Sequence, residues 1–205
     1  MIAAIQNLLY QCALAFDLPI LDWIQANLQS SLMDKIMPII TMFGDGGIFW
    51  IVCSLLLMLF PKTRRTGLGM GFAMIMGLLI CNVTLKPLIA RMRPYDFQIE
   101  YMSKTWNDLL LGGKLLVDTP HDFSFPSGHT IASFEACTAL MLGNRKLGIP
   151  ALILAIAIAF SRMYLYVHYP SDVLVSVVLG TIFGLIGYAL AGKITFSTKG
   201  KYLTK

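Results

Sequence analysis

The alternation of apolar and polar stretches along the chain predicts a series of membrane helices joined by polar connections. Four apolar runs have the length of a membrane span: residues 67–85, 127–142, 149–167 and 173–191. A further run at 48–60 is short, and it reaches a spanning length only when extended back over the Gly-Asp-Gly-Gly turn at 44–47. The pattern therefore predicts an all-α, polytopic membrane helical bundle.

The first 43 residues mix apolar and polar positions at helical spacing. Residues 21–41 are amphipathic and are interrupted by Asp22, Asn27, Asp34 and Lys35. This pattern favours one or two helices lying in the membrane interface, with a sixth span as the alternative, so that five to six transmembrane helices are expected. The chain then reads as one domain: N-terminal helices over 1–43, a transmembrane core over 44–192 and a basic tail over 193–205.

Composition supports a membrane protein and excludes an ordinary soluble domain. Of the 205 residues, 57% are hydrophobic and 13% are charged, whereas soluble domains have about half and about a quarter. The four cysteines lie scattered in apolar runs without the spacing of a metal site, which predicts buried apolar side chains. We expect no nucleic-acid partner, and the sequence leaves the oligomeric state open.

The distribution of charge predicts the orientation of the bundle. If the spans alternate, the basic loop at 61–65, the stretch at 143–148 (predicted to be a tight basic turn) and the tail lysines fall on one side. The long acidic segment at 95–125 falls on the other. The positive-inside rule places the basic side in the cytoplasm. The polar residues of chemical interest then face the extracytoplasmic side.

Two clusters at this outer boundary are suited to an anion. Lys86 and Arg93 are seven residues apart and can share a helical face, although basic side chains here can also snorkel to the interface. Arg91, between them, contacts either phosphate or lipid headgroups. The second cluster, Ser-Phe-Pro-Ser-Gly-His at 124–129, precedes a helix, so that Ser127 either caps the helix or helps to bind an anion with free N–H groups.

A third cluster combines a cation, an imidazole and a carboxylate within residues 161–172. His168 and Asp172 are four apart, so the carboxylate can fix the tautomer of the imidazole, or the two can form a structural pair. With Arg162, the three clusters supply three cations, a helix N-terminus and two histidines. That set matches phosphoryl transfer. The sequence has no carboxylate cluster suited to Mg²⁺ or Ca²⁺, so no metal and no cofactor are expected.

In chain order, the motifs Lys-x6-Arg-Pro, Pro-Ser-Gly-His and Ser-Arg-x5-His-x3-Asp resemble the type 2 phosphatidic acid phosphatase (PAP2) superfamily, with all eleven specified residues present between Lys86 and Asp172. The resemblance implies that residues 44–192 form the catalytic core. It implies that His168 is the nucleophile that forms a phosphohistidine, oriented by Asp172, and that His129 is the acid and then the base. The same resemblance assigns phosphate binding to a further set: Lys86, Arg93, Arg162 and the N–H groups of Ser127 and Gly128.

The resemblance extends to small bacterial members that convert undecaprenyl diphosphate to undecaprenyl phosphate. The expected protein is thus a metal-independent lipid phosphatase of the plasma membrane, acting on a lipid phosphate or diphosphate among membrane lipids. Phosphatidate or phosphatidylglycerophosphate hydrolysis and lipid phosphotransfer stay open. A transporter that passes an anion along Lys86, Arg93, Arg162 and Glu135 is the alternative outside enzymology. Glu135 is expected to be protonated and hydrogen-bonded between helices, or to be a neighbour of the site.

Overall fold

The computed structural model describes residues 2–110 and 114–200, and every regular element in these ranges is helical. Eleven α-helices follow one another along this part of the chain: α1 (Ile2–Cys12), α2 (Leu18–Leu28), α3 (Ser31–Met42), α4 (Ile48–Leu59), α5 (Arg64–Gly77), α6 (Lys86–Ile89), α7 (Pro94–Met102), α8 (Trp106–Leu109), α9 (Gly128–Gly143), α10 (Arg145–Tyr164) and α11 (Pro170–Gly200). Two π-helical segments, Ala13–Asp17 and Leu78–Leu85, continue α1 into α2 and α5 into α6.

The predicted membrane helical bundle is confirmed. Five stretches of the described residues are long and apolar enough to cross a membrane: Ile2–Leu28, Ser31–Leu59, Arg64–Met102, Arg145–Tyr164 and Pro170–Ile194. Helix α9 has 16 residues, occupies the predicted span at 127–142, and packs against α5, α10 and α11. It carries many buried side chains at the centre of the bundle, where it faces other helices more than lipid.

Glycines let α11 approach α5 and α9 closely. A Cβ at Gly187 would overlap the carbonyl oxygen of Gly69 and lie 2.8 Å from the backbone nitrogen of Ala73. A Cβ at Gly180 would lie 2.8 Å from the carbonyl oxygen of Ile131. Small residues at such contacts are typical of membrane helix pairs, because association there depends on close packing.

The predicted tight basic turn at 143–148 is wrong. Helix α9 extends to Gly143 and α10 begins at Arg145, so only Asn144 separates the two helices. The side-chain oxygen of Asn144 accepts a hydrogen bond from the N–H of Lys146 at 3.0 Å. This cap satisfies a backbone donor at the start of α10, and one extended residue is enough to reverse the chain. At the other end, α11 extends into the predicted tail as far as Gly200, and residues 201–205 lie outside the described residues.

The N-terminal helices are anchored to the end of the bundle where α10 ends and α11 begins, called the site end below. The Gln25 side chain donates to the carbonyl oxygen of Tyr164 at 2.7 Å, and Asp34 accepts from the Tyr164 hydroxyl at 2.6 Å. Asp17 accepts from the N–H of Ser171 at 2.8 Å. The segment Ile2–Leu28 is also long enough to span a membrane, so the interfacial placement of residues 1–43 stays a prediction.

Candidate active site

A cavity of about 1530 Å³ opens at the site end, and six of the eight predicted site residues line it: Lys86, Arg93, Gly128, His129, Arg162 and His168. The other two, Ser127 and Asp172, are fully buried. Away from this polar end the cavity is lined by apolar side chains of α4 and α5, among them Ile51, Leu55 and Phe72. The structure thus joins the three motifs in one cavity that is polar at one end and apolar along its length.

A tight turn after α10 places His168. The N–H groups of Val167 and His168 both donate to the carbonyl oxygen of Arg162 at 3.2 Å. Tyr166 takes a left-handed backbone conformation (φ 60°) that costs a non-glycine residue energy. Its buried side chain offsets this cost, because its hydroxyl donates to Asp22 at 2.6 Å and also contacts Gln98.

The two ring nitrogens of His168 face different partners. Nδ1 lies 3.6 Å from Oδ2 of Asp172 and 3.5 Å from the Ser124 hydroxyl, whereas Nε2 lies 3.4 Å from a guanidinium nitrogen of Arg93. A guanidinium only donates hydrogen bonds, so Nε2 is the acceptor and the proton is on Nδ1, facing the carboxylate. Nε2 therefore presents its lone pair towards the cations.

The surroundings of His168 keep it neutral. Burial opposes its charged form, and the nearby cations Arg93, Arg162 and Lys86 add to this effect, so that its pKa lies well below the ordinary value. A neutral imidazole has a free lone pair, which a nucleophile needs. The geometry and the charge of the site both suit His168 for attack on phosphorus.

Asp172 is fixed in place by several donors. Arg91 and the Ser124 hydroxyl bind its carboxylate, and the N–H of Tyr169 donates to Oδ2 at 3.0 Å. Arg91 also contacts Asp17 at 2.7 Å, and its side chain is only 7% exposed. Arg91 thus binds the carboxylate behind the nucleophile, and not the phosphate or lipid headgroups that the sequence suggested.

Lys86 and Arg93 converge on one carboxylate, Asp122, which sequence reasoning missed. Both side chains form ion pairs with Asp122, and Arg93 also donates to the carbonyl oxygen of Val167 at 2.6 Å. Partial burial opposes ionisation of Asp122, but the hydrogen bond and charge of Lys86 and the charge of Arg93 outweigh it and lower its pKa to about 2. In this structure the two cations thus share one carboxylate, which offsets one of their two positive charges.

The remaining predicted phosphate-binding groups differ in access. Arg162 lines the cavity and donates to the Thr41 hydroxyl at 2.6 Å. Gly128 lines the cavity at the start of α9, but the N–H of Ser127 donates to the Ser176 hydroxyl at 2.9 Å. Of the two backbone groups, Gly128 is therefore the better placed for an anion, and phosphate binding by Ser127 stays a prediction.

Besides Asp122, three acidic residues outside the motifs line the cavity: Asp45, Asp118 and Glu135. Asp45, in the turn between α3 and α4, has Oδ1 at 2.7 Å from Nε2 of His129. Glu135 is 1% exposed and faces Gly77. Its Oε1 has no hydrogen-bond partner among the described residues, whereas the sequence suggested that this side chain forms a hydrogen bond between helices. Asp45 lies 84 positions from His129, so spacing could not reveal the pair.

The fold and this site together define a membrane phosphatase. Residues 66–196 match the model of the PAP2 superfamily, which is more than half of the chain. The chain therefore belongs to the PAP2 superfamily, as the motifs predicted.

Similar proteins act on lipid phosphates according to their names. An undecaprenyl-diphosphatase from Sulfolobus acidocaldarius is 29% identical, over 75% of this chain and 68% of its own length. A decaprenylphosphoryl-5-phosphoribose phosphatase from Mycobacterium tuberculosis is 36% identical, over 73% of this chain and 76% of its own. The crystal structure of a PAP2-type phosphatidylglycerolphosphate phosphatase from Bacillus subtilis superposes with a TM-score of 0.69, at 25% identity, covering 94% of this chain and 91% of that one.

Proposed function

We propose that the protein hydrolyses the terminal phosphate of a polyprenyl diphosphate, most specifically undecaprenyl diphosphate to undecaprenyl phosphate. The observation that carries this proposal is the single cavity that joins Nε2 of His168 and three cations to an apolar groove along α4 and α5. A diphosphate headgroup suits the cations, and a hydrocarbon tail suits the groove. The names of two similar proteins, both acting on polyprenyl substrates, support the same lipid class.

In the first step, Nε2 of His168 attacks the terminal phosphorus. The N–P bond forms, and the bond from phosphorus to the bridging oxygen breaks. His129 donates a proton to that oxygen, and the lipid monophosphate leaves. Lys86, Arg93 and Arg162 neutralise the equatorial oxygens, while Asp172 offsets the positive charge that forms on the His168 ring.

In the second step, His129 acts as a base on water. The resulting hydroxide attacks the phosphohistidine, the N–P bond breaks, and inorganic phosphate leaves with His168 neutral again. In this scheme the neutralisation of charge comes from side chains, so no metal is required. By the positive-inside rule, both steps take place on the extracytoplasmic side of the plasma membrane.

A second candidate substrate is a glycerolipid phosphate such as phosphatidylglycerophosphate. The specific observation in its favour is the likeness, over nearly the whole chain, to a solved phosphatase named for that lipid. The first half-reaction would be the same, with a diacylglycerol-type leaving group. Transfer of the phosphoryl group to an acceptor other than water also shares this half-reaction.

The test is phosphate release by the purified protein in detergent, in the presence of EDTA. Undecaprenyl diphosphate, farnesyl diphosphate, phosphatidate and phosphatidylglycerophosphate are compared side by side. We expect release from the polyprenyl diphosphates at the highest kcat/KM, unaffected by EDTA and reduced at least 1000-fold in His168→Ala. The control is Lys146→Ala, which removes an exposed side chain at the start of α10, outside the lining of the cavity, and should leave the activity unchanged.

Three results would overturn parts of this proposal. Phosphate release by His168→Ala equal to that of the wild type would exclude the phosphohistidine mechanism and favour the transporter alternative, which does not need that histidine. A loss of activity in EDTA that Mg²⁺ restores would show that the reaction needs a metal. A higher kcat/KM for phosphatidylglycerophosphate would replace the substrate and keep the mechanism.

A further inference from the structure

The Gly-Asp-Gly-Gly turn at 44–47 is built around the ring of His129. A Cβ at Gly44 would lie 2.6 Å from Cδ2 of His129, so a side chain there would displace the imidazole. Gly46 and Gly47 have positive φ angles of 56° and 68°, which glycine adopts without cost. The turn therefore holds the ring on one side, and its shape depends on three glycines.

Within this turn, Asp45 is the carboxylate bound to His129. Oδ1 of Asp45 lies 2.7 Å from Nε2 of His129, and the Asp45 side chain is 59% exposed whereas that of His129 is 20% exposed. The N-terminal segment also binds Arg162 through Thr41. One short stretch thus fixes both the second histidine and a cation of the site.

The charges that face His129 come from several elements. Arg162 on α10, Lys86 on α6 and the neighbouring His168 all surround it, and Asp45 is the carboxylate among them. Burial is the largest effect that opposes a positive charge on the ring, and the two cations add to it, whereas a carboxylate at hydrogen-bond distance favours that charge. A histidine that protonates a leaving oxygen has to be in its charged, imidazolium form at the moment of reaction.

We propose that Asp45 is a positioning residue for His129, which orients the imidazole and stabilises its protonated form for proton donation to the leaving oxygen. This inference rests on the proposed role of His129 in the function above. Asp45 lies outside residues 66–196, which match the family model. The N-terminal segment would thus supply His129 with a carboxylate as α11 supplies one to His168.

The test compares pH profiles of kcat/KM for the wild type, Asp45→Asn and Asp45→Glu on undecaprenyl diphosphate. We expect the alkaline limb, where His129 loses its proton, to move about one pH unit lower in Asp45→Asn, which is about a tenfold loss of activity on that limb. Asp45→Glu should recover most of the shift. The control Asp34→Asn removes a carboxylate of the same segment that binds the Tyr164 hydroxyl and should leave the profile in place.

Leaving-group dependence separates a role in proton donation from a structural role. Phosphatidylglycerophosphate has an alkoxide leaving group that needs a proton, whereas the leaving group of p-nitrophenyl phosphate departs without one. Asp45→Asn should therefore lose about tenfold in kcat/KM on phosphatidylglycerophosphate and stay within about threefold of the wild type on p-nitrophenyl phosphate. An unchanged alkaline limb in Asp45→Asn, or an equal loss on both substrates, would overturn the proposal. Because His168→Ala is measured in parallel, activity surviving in that variant would overturn the proposed function instead.

Discussion

Arg91 joins two buried carboxylates, Asp17 from the N-terminal segment and Asp172 behind the nucleophile. Removal of the guanidinium leaves both carboxylates without their cation in a buried environment, which typically costs about 3–5 kcal/mol. We therefore expect Arg91→Met to lower the thermal stability of the detergent-solubilised protein strongly. Arg91→Lys should recover only part of the loss, because an ammonium cannot bind both carboxylates in the planar geometry of arginine.

The control for this prediction is Lys104→Met, which breaks the 3.7 Å ion pair between Lys104 and Asp22. Both side chains are partly exposed, and such pairs contribute about 0–1 kcal/mol. Equal effects of Arg91→Met and Lys104→Met in thermal unfolding would show that Arg91 is not the link between the two carboxylates that the structure indicates.

The ion pairs of Asp122 predict that the stability of the fold depends on pH. Its pKa of about 2 in the folded protein is below the value of about 3.9 in an unfolded chain. Its ion pairs with Lys86 and Arg93 therefore stabilise the fold at pH values above about 4, and this contribution is lost as the pH falls towards about 2. Between pH 5 and 8 we expect a constant difference in Tm between the wild type and Asp122→Asn, which narrows below pH 4.

The measurement is thermal unfolding in detergent at a series of pH values, with Asp118→Asn as the control because it changes the charge of the same polar segment. A Tm difference for Asp122→Asn that grows as the pH falls would contradict the assigned ion pairs. An effect of Asp118→Asn on the Tm that equals the effect of Asp122→Asn at every pH would also contradict them.

Among the elements, the contact between α5 and α11 depends on glycine. A Cβ at Gly187 would overlap the backbone of α5 at Gly69 and Ala73, whereas a Cβ at Gly71 would meet only the Ser54 hydroxyl at 3.5 Å. Gly187→Ala should thus force the helices apart and destabilise the bundle by about 1–3 kcal/mol. Gly71→Ala should be neutral or slightly stabilising, because alanine is favoured over glycine in a helix by about 1 kcal/mol.

Thermal unfolding of the two variants checks this prediction. Both substitutions add one methyl group to a helix of the bundle, so only the packing at each position separates them. A loss of stability in Gly71→Ala as large as that in Gly187→Ala would show that helical glycines matter here for a reason other than the close approach of α11.

The helices were predictable from sequence because apolar runs are local signals. The runs at 127–142 and 149–167 correspond to α9 and α10. Only the predicted connection between these two helices was wrong, because the basic stretch that looks like a turn is the first turn of α10. Helix α9 shows the limit of hydropathy. Its sequence does not reveal that it lies among other helices at the centre of the bundle, because that depends on tertiary packing.

For the whole molecule, the motifs predicted which residues meet, and the structure brings His168, His129, Lys86, Arg93 and Arg162 to one cavity. The carboxylate of Asp172 was predicted from its spacing to His168, but the other carboxylates near the site were not predictable. Asp45 pairs with His129, Asp122 with Lys86 and Arg93, and Asp17 with Arg91, and no spacing rule links positions that are so far apart in the chain. The N-terminal segment, which sequence reasoning left as interfacial helices and a turn, forms one wall of the site.

We propose that His168 carries the phosphoryl group between the two steps of the reaction. The most direct measurement is acid-free denaturing quench of the enzyme during turnover of undecaprenyl diphosphate labelled with ³²P in the terminal phosphate, followed by peptide mapping. We predict label on the peptide that contains His168, labile in acid and stable in base, and none in His168→Ala. Label on a different residue, or equal label in His168→Ala, would contradict this role of His168.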